Sequence, residues 1–281
     1  MSKRSGSLAP GVAFITGGAR GLGNAIAVSF AKEGARAVVI VDVQDEKTFA
    51  EGKQKVEAYG TECLTIHADV TNEADISRAV QTAVQKFGRI DYAANFAGIL
   101  GPSSPISEIS LAAWQKTQDV NSTGVLLATK YELRQMMTQS SIDGIEEGRV
   151  PQQGSIVNCA SVNSLMALPG TSAYTASKHA SHGITKAAAL EGREHNIRVN
   201  AVSPGFLFTK MVQPVTVAEG QDEAAAEKGR ALWQRLEERQ GRKAQFEEVG
   251  DVVVLMSLPR MSLVNGQNLF VDGGFTINEG F

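Results

Sequence analysis

Two cysteines, four histidines and no long apolar run set the first limits on this 281-residue chain. Cys63 and Cys159 offer neither a disulfide framework nor a metal-ligand spacing. Both fall in strand-like runs and read as buried thiols, so a reducing, cytoplasmic setting is expected. His67, His179, His182 and His195 are scattered, without the carboxylate neighbours a metal site would need; each reads as a core or surface histidine. A membrane-spanning helix takes about 20 consecutive apolar residues, and no run approaches that length. Charge of one sign is also missing. A formal net charge of −3 provides no field for nucleic acid or an anionic membrane surface. The opening MSKRSGS carries two cations with no apolar stretch behind them, so a frayed terminus is expected rather than a secretory signal. No repeat, low-complexity tract or proline-rich linker divides the chain, and one domain over residues 1–281 is the economical expectation.

What is present is a regular alternation. Runs at 12–16, 37–42, 63–69, 91–97, 155–161, 197–203 and 267–273 read as strands, apolar on both faces as parallel strands covered by helices must be. Helical stretches at 22–34, 73–88 and 172–192 lie between them. The expected fold class is α/β: a Rossmann-type, doubly wound, seven-stranded parallel sheet with right-handed crossovers. Two segments depart from the rhythm. Residues 140–154 form a polar loop, and residues 206–245 form an insertion with Leu232, Trp233 and Leu236 at helical spacing on a charged background.

The stretch VAFITGGARGLGNAI is a strand, a glycine-rich turn and a helix start. Gly17, Gly21 and Gly23 permit tight backbone geometry and close approach of a pyrophosphate to the amides of a helix N-terminus. Their spacing is Gly-x-x-x-Gly-x-Gly, so the better-known Gly-x-Gly-x-x-Gly fingerprint does not apply directly. Asp42 ends the second strand 19 residues beyond Gly23. An acid there can accept hydrogen bonds from adenosine ribose hydroxyls and repels a 2′-phosphate, which favours NAD over NADP. Arg20 pulls the other way, but no basic residue follows at Val43 or Gln44. Asp69 occupies the equivalent place after the third strand, where it holds the adenine amino group or caps the next helix.

Tyr174 and Lys178 lie four apart in SAYTASKHA, one above the other on a helix. That spacing also arises in ordinary surface pairs. A cation about 4 Å from a phenol, at an effective dielectric of about 20, favours the phenolate by roughly 4 kcal/mol. That amounts to about three pKa units, enough to bring a phenol into the range of acid–base catalysis. Ser161 alone reads as a turn former, and Asn121 as a helix irregularity or a packed amide.

The ordered set TGGARGLG (16–23), Asp69, NFAG (95–98), Asn121, Ser161, YTASK (174–178) and SPG (203–205) closely resembles the short-chain dehydrogenase/reductase family in its single-domain form, from about residue 10 to 275. The resemblance implies that Tyr174 is the catalytic acid/base, Lys178 its activator and a hydrogen-bond donor to the nicotinamide ribose. Ser161 would polarise the substrate oxygen, and Asn121 would anchor a relay water. Cofactor contacts would come from Gly17, Arg20, Gly21, Leu22 and Gly23, from Asp42, Asp69 and Val70, and from Asn95, Ala97 and Gly98. Pro204, Gly205 and Thr209 would complete the nicotinamide end. Phe96 departs from the family's usual Asn-Asn-Ala-Gly, while Asn95 keeps the position that braces the central strands.

The implied substrate pocket is apolar, with Leu100, Val162, Asn163, Met166, Phe206 and Met211 among its lining and residues 206–245 as a lid. It offers no Arg or Lys to a carboxylate or phosphate, so a hydrophobic secondary alcohol or ketone is expected. The loop at 140–154 and GSIVNCAS look similar to fungal members of secondary metabolism. The family commonly forms homodimers or homotetramers through the helices carrying Asn121 and Tyr174. Competing readings are a non-catalytic dinucleotide-binding sensor or scaffold, and a family member acting on an imine or in a non-redox rearrangement.

Overall fold

A computed structural model of the chain describes residues 8–142, 149–208 and 223–278. Seven parallel strands form one sheet: β1 (Val12–Thr16), β2 (Ala37–Asp42), β3 (Glu62–His67), β4 (Tyr92–Asn95), β5 (Gly154–Cys159), β6 (Ile197–Pro204) and β7 (Asn268–Val271). Their order is β3-β2-β1-β4-β5-β6-β7. The order reverses between β1 and β4, and the crevice beyond their C-terminal ends is where ligands bind in open α/β sheets. Both faces of β1 are buried, as the unbroken apolar run requires.

Among the described residues the helices are α1 (Gly21–Lys32), α2 (Glu46–Glu57), α3 (Glu73–Phe87), α4 (Leu111–Gln118), α5 (Gly124–Met136), α6 (Ser172–Gly192), α7 (Glu223–Arg239) and α8 (Phe246–Ser257). Phe30 of α1, Phe49 of α2 and Val253 of α8 pack on one face of the sheet around Ile15, Ile40 and Val157. Val80 of α3, Leu133 of α5 and Ala188 of α6 pack on the other around Phe14, Val39 and Ile156. Asn72 caps α3 by accepting from the amides of Ala74 and Asp75, and Gly88 ends it in the left-handed region at φ 83°.

Ladders stop at His67, Asn95 and Cys159, two residues before the strand-like sequence runs end. One further amide of each still reaches the neighbouring strand, Ala68 to Asp42, Phe96 to Thr16 and Ala160 to Val202. Cys159 sits at such an end and is half-buried rather than buried, whereas burial pushes the Cys63 thiol up to about 12.

Candidate active site

At the first turn, Gly17 leaves β1 at φ 70° and donates its N–H to the Val41 carbonyl at 2.8 Å. A Cβ on Gly17 would stand 2.6 Å from the Ala97 nitrogen, and one on Gly23 would overlap the Gly17 carbonyl oxygen. Gly21, at φ 57°, faces open space. The turn is thus threaded between β2 and the loop after β4, with the unpaired first amides of α1 beside it. This cradle, which a side chain would fill, fits the pyrophosphate of a dinucleotide.

Around it, half-buried Asp42 accepts from the Ala19 amide at 3.1 Å and from its neighbour Val43 at 2.8 Å. Arg20 is exposed and Leu22 half-buried. Asp69 does not cap α3; it accepts from both the amide and the hydroxyl of Thr71 at 2.8 Å. Val70 is buried against Gly124, and Ala97 and Gly98 are half-buried beside the turn.

The second half of the site joins α6 to β5 and to a π-helical turn. Lys178 is buried, donates to the Cys159 carbonyl at 2.9 Å and stands 5.6 Å from the centre of the Tyr174 ring. Burial penalises its ammonium, but charge interactions with Cys159 and Tyr174 and a hydrogen bond to Cys159 outweigh that cost and hold it above the usual lysine value. The cation therefore stays charged next to the phenol. Ser161 accepts from the Asn163 amide at 3.2 Å, which leaves its own hydrogen free for an oxygen in the crevice.

Asn121 is completely buried in the π turn Asp119–Thr123 that separates α4 from α5. Such turns interrupt helices at functional sites more often than elsewhere. Its Oδ1 accepts from the Ile99 amide and its Nδ2 donates to the Ile99 carbonyl, both at 2.8 Å. Nδ2 also donates to Ser177 at 3.1 Å, and Ser181 donates to the Asn121 carbonyl at 3.0 Å. A Cβ on Gly98 would lie 3.2 Å from Asn121 Oδ1 and 3.9 Å from Lys178 Nζ. Asn121, Gly98 and Lys178 are therefore neighbours in one place.

Comparisons with known proteins give the family. The family model described as enoyl-(acyl carrier protein) reductase matches residues 17–276. Short-chain dehydrogenase fogB of Aspergillus ruber is 37% identical over 276 residues, covering 95% of this chain and 97% of the relative. The chain belongs to the short-chain dehydrogenase/reductase family. Another member of the family, (+)-borneol dehydrogenase 2 of Salvia officinalis, is 37% identical over 94% of this chain and 89% of its own. The crystal structure of levodione reductase superposes with a TM-score of 0.85 at 31% identity, covering 96% of this chain and 99% of that one. As a short-chain dehydrogenase/reductase the protein is an oxidoreductase of a family that uses nicotinamide cofactors and acts on alcohols and ketones.

Two residues of this dehydrogenase/reductase escape motif reading. Glu132 is fully buried on α5, and its Oε2 accepts from Asn95 at 2.8 Å. Asn95 also donates to Asn158 at 3.0 Å, which donates to Thr185 at 3.1 Å. Burial pushes the Glu132 carboxyl up to about 8, only partly opposed by the Asn95 bond, so it is neutral at pH 7. Gln240, after α7, is 3% exposed and bonds both backbone groups of Phe206. The signal for Glu132 was its place on the apolar stripe of α5 with Ala128, Leu133 and Met136; Gln240 carries no such signal.

Of the residues expected on the substrate side of the dehydrogenase/reductase, Val162 is buried while Leu100 and Met166 are half-buried. Asn163 is buried, and its Nδ2 donates to Thr171 at 3.3 Å and Thr175 at 3.0 Å, pinning the loop after β5 onto α6. Pro204 ends β6 and Gly205 donates to the Val271 carbonyl at 3.0 Å. Phe206 packs on Phe275 and Trp233 with ring centroids 4.7 and 5.9 Å away. Thr209 and Met211 lie outside the described residues. Among the described residues no helix is long and apolar enough to cross a membrane, and no group of three His, Cys, Asp or Glu residues could hold a metal ion. His179 is exposed and bonds the Thr175 carbonyl at 2.9 Å, away from the crevice.

Proposed function

We infer that this protein transfers hydride between NAD and a hydrophobic secondary alcohol or ketone, with Tyr174 as acid/base. The observation that carries the reading is the buried Lys178 ammonium beside the Tyr174 ring, held there by the Cys159 carbonyl. A bound nicotinamide supplies or accepts the hydride. For oxidation Tyr174 takes the hydroxyl proton of the substrate; for reduction it returns that proton to the oxygen. Ser161 donates its free hydrogen where negative charge builds on that oxygen. Lys178 favours the phenolate and hands protons on, and Asn121 fixes the loop that borders both. We further infer one domain spanning 1–281 with a lid over 206–245, of which residues 209–222 lie outside the described residues.

Preference for NAD rests on Asp42, whose carboxylate stands beside the glycine turn at Ala19. The apolar lining and the likeness to a borneol dehydrogenase support a bulky, carbon-rich substrate and a setting in secondary metabolism. Two free thiols support a reducing, cytoplasmic compartment. Leu111 on α4 and Leu126 on α5, both exposed, support assembly into a homodimer or homotetramer.

The test is turnover of borneol with NAD against Tyr174→Phe. The variant is expected to bind NAD as before, by quenching of intrinsic fluorescence, and to lose about 10³-fold or more in kcat. Normal turnover in that variant refutes the assignment. Asp42→Ser is expected to shift kcat/KM from NAD towards NADP by about tenfold; an unchanged ratio removes Asp42 from cofactor choice.

A further inference from the structure

Gln240 follows the last residue of α7 and is buried at 3% exposure. Its Oε1 accepts from the Phe206 amide at 2.7 Å, and its Nε2 donates to the carbonyls of Phe206 at 3.2 Å and Arg242 at 3.1 Å. A single side chain thus satisfies both backbone groups of one residue in the turn after β6. The slot it occupies tolerates little else. A Cβ on Gly205 would overlap Gln240 Oε1, and a Cβ on Gly273 would overlap the Gln240 carbonyl oxygen. With its peptide held on both edges, Phe206 meets Trp233 edge-on, and Trp233 meets Phe208 in the same manner at 5.7 Å. The Trp233 indole N–H is taken up by Glu237 at 2.8 Å. Three rings therefore stand together with no hydrogen-bond donor left on any of them.

We propose that Gln240 is a positioning residue for substrate choice. Through the Phe206 peptide it sets the aromatic wall of Phe206, Phe208 and Trp233, which favours alcohols and ketones carrying a bulky apolar ring. The wall offers carbon surface and ring faces only, so a substrate gains from it by apolar area rather than by polar groups. The choice of substrate rests on the function inferred above; the positioning of Trp233 does not.

Gln240→Glu keeps the acceptor for the Phe206 amide and loses the donated bonds, since a carboxylate has no hydrogen to give and a protonated carboxyl has one for two carbonyls. The chain has two tryptophans, so a Trp114→Phe background leaves Trp233 as the sole indole. In that background Gln240→Glu is expected to raise acrylamide quenching of Trp233 about threefold and KM for borneol about tenfold. KM for propan-2-ol, kcat and NAD affinity are expected to stay within about twofold. An unchanged quenching constant overturns the positioning role, and KM values that rise together for both alcohols overturn the role in selection. If neither alcohol is oxidised by the parent protein, the inferred function fails while the quenching comparison still decides the positioning. Should Gln240→Glu lose its cooperative melt, Gln240→Asn keeps the amide but withdraws it by one methylene, with the same directions expected.

Discussion

Two side-chain amides grip the main chain at the crevice, and what stands behind them differs. Asn121 holds both backbone groups of Ile99 after β4; Gln240 holds both of Phe206 after β6. Behind Asn121 runs a chain of polar contacts through Ser181 and Thr185 to Asn158, Asn95 and Glu132. Behind Phe206 stand rings: Phe275 at 4.7 Å, with the Arg239 guanidinium 4.5 Å above it. Directional hydrogen bonds fix atoms to a few tenths of an ångström, which proton transfer needs. Stacked and edge-on rings hold position by area and tolerate small shifts, which suits a surface that recognises shape. Polar geometry stands behind the proposed catalytic side and apolar bulk behind the proposed substrate side.

The largest expected departure between the two sides is in their response to pH. An unfolded glutamate releases its proton near 4.5, whereas buried Glu132 keeps its own to about 8. Folding therefore takes up a proton between those values, and stability falls as pH rises from about 4.5 to about 8, with the full penalty present above that range. By linkage the penalty is on the order of 5 kcal/mol. Glu132→Gln is expected to flatten the profile, read by urea unfolding of both proteins at pH 5, 7 and 9. Parallel profiles would show that this carboxyl does not couple to folding. A smaller effect is expected from Asn121→Ala, with kcat falling about 10²-fold and KM within about threefold, since it frees the loop next to Lys178 rather than the substrate wall. Equal losses in kcat and in NAD binding would instead mark it as general support for the fold. The smallest is Ser177→Ala, which removes one of three bonds to the Asn121 amide. A drop in kcat of about threefold to tenfold is expected; none at all would mean that Ile99 alone secures Asn121.

The parts legible in the sequence are those whose cause is local. Gly17 must adopt a positive φ where a strand turns into a helix, so the turn announces itself within a few residues. Tyr174 and Lys178 meet by helical spacing, and the helix read at 172–192 is found at Ser172–Gly192. The seven strands were visible as apolar runs because parallel strands are buried on both faces. Their ends were not, since ladder ends depend on where the neighbouring strand stops. Helix α2 buries only Phe49, Gly52 and Val56, too thin a stripe to stand out from its charges. The partners of Glu132 and Gln240 were not legible, for another reason. They lie 37 and 34 positions away, and only the assembled sheet brings each pair together. The half-buried state of Cys159 likewise follows from the end of β5 and not from its own neighbours.

Because both amides bind peptide atoms and leave the residue's own side chain out of the contact, Ile99 and Phe206 can be exchanged for other residues without releasing the loops that carry them. The walls of the crevice are then furnishings on a frame that is bolted elsewhere. A library varied at those two positions, with Asn121 and Gln240 left alone, should yield folded proteins that differ in what they accept.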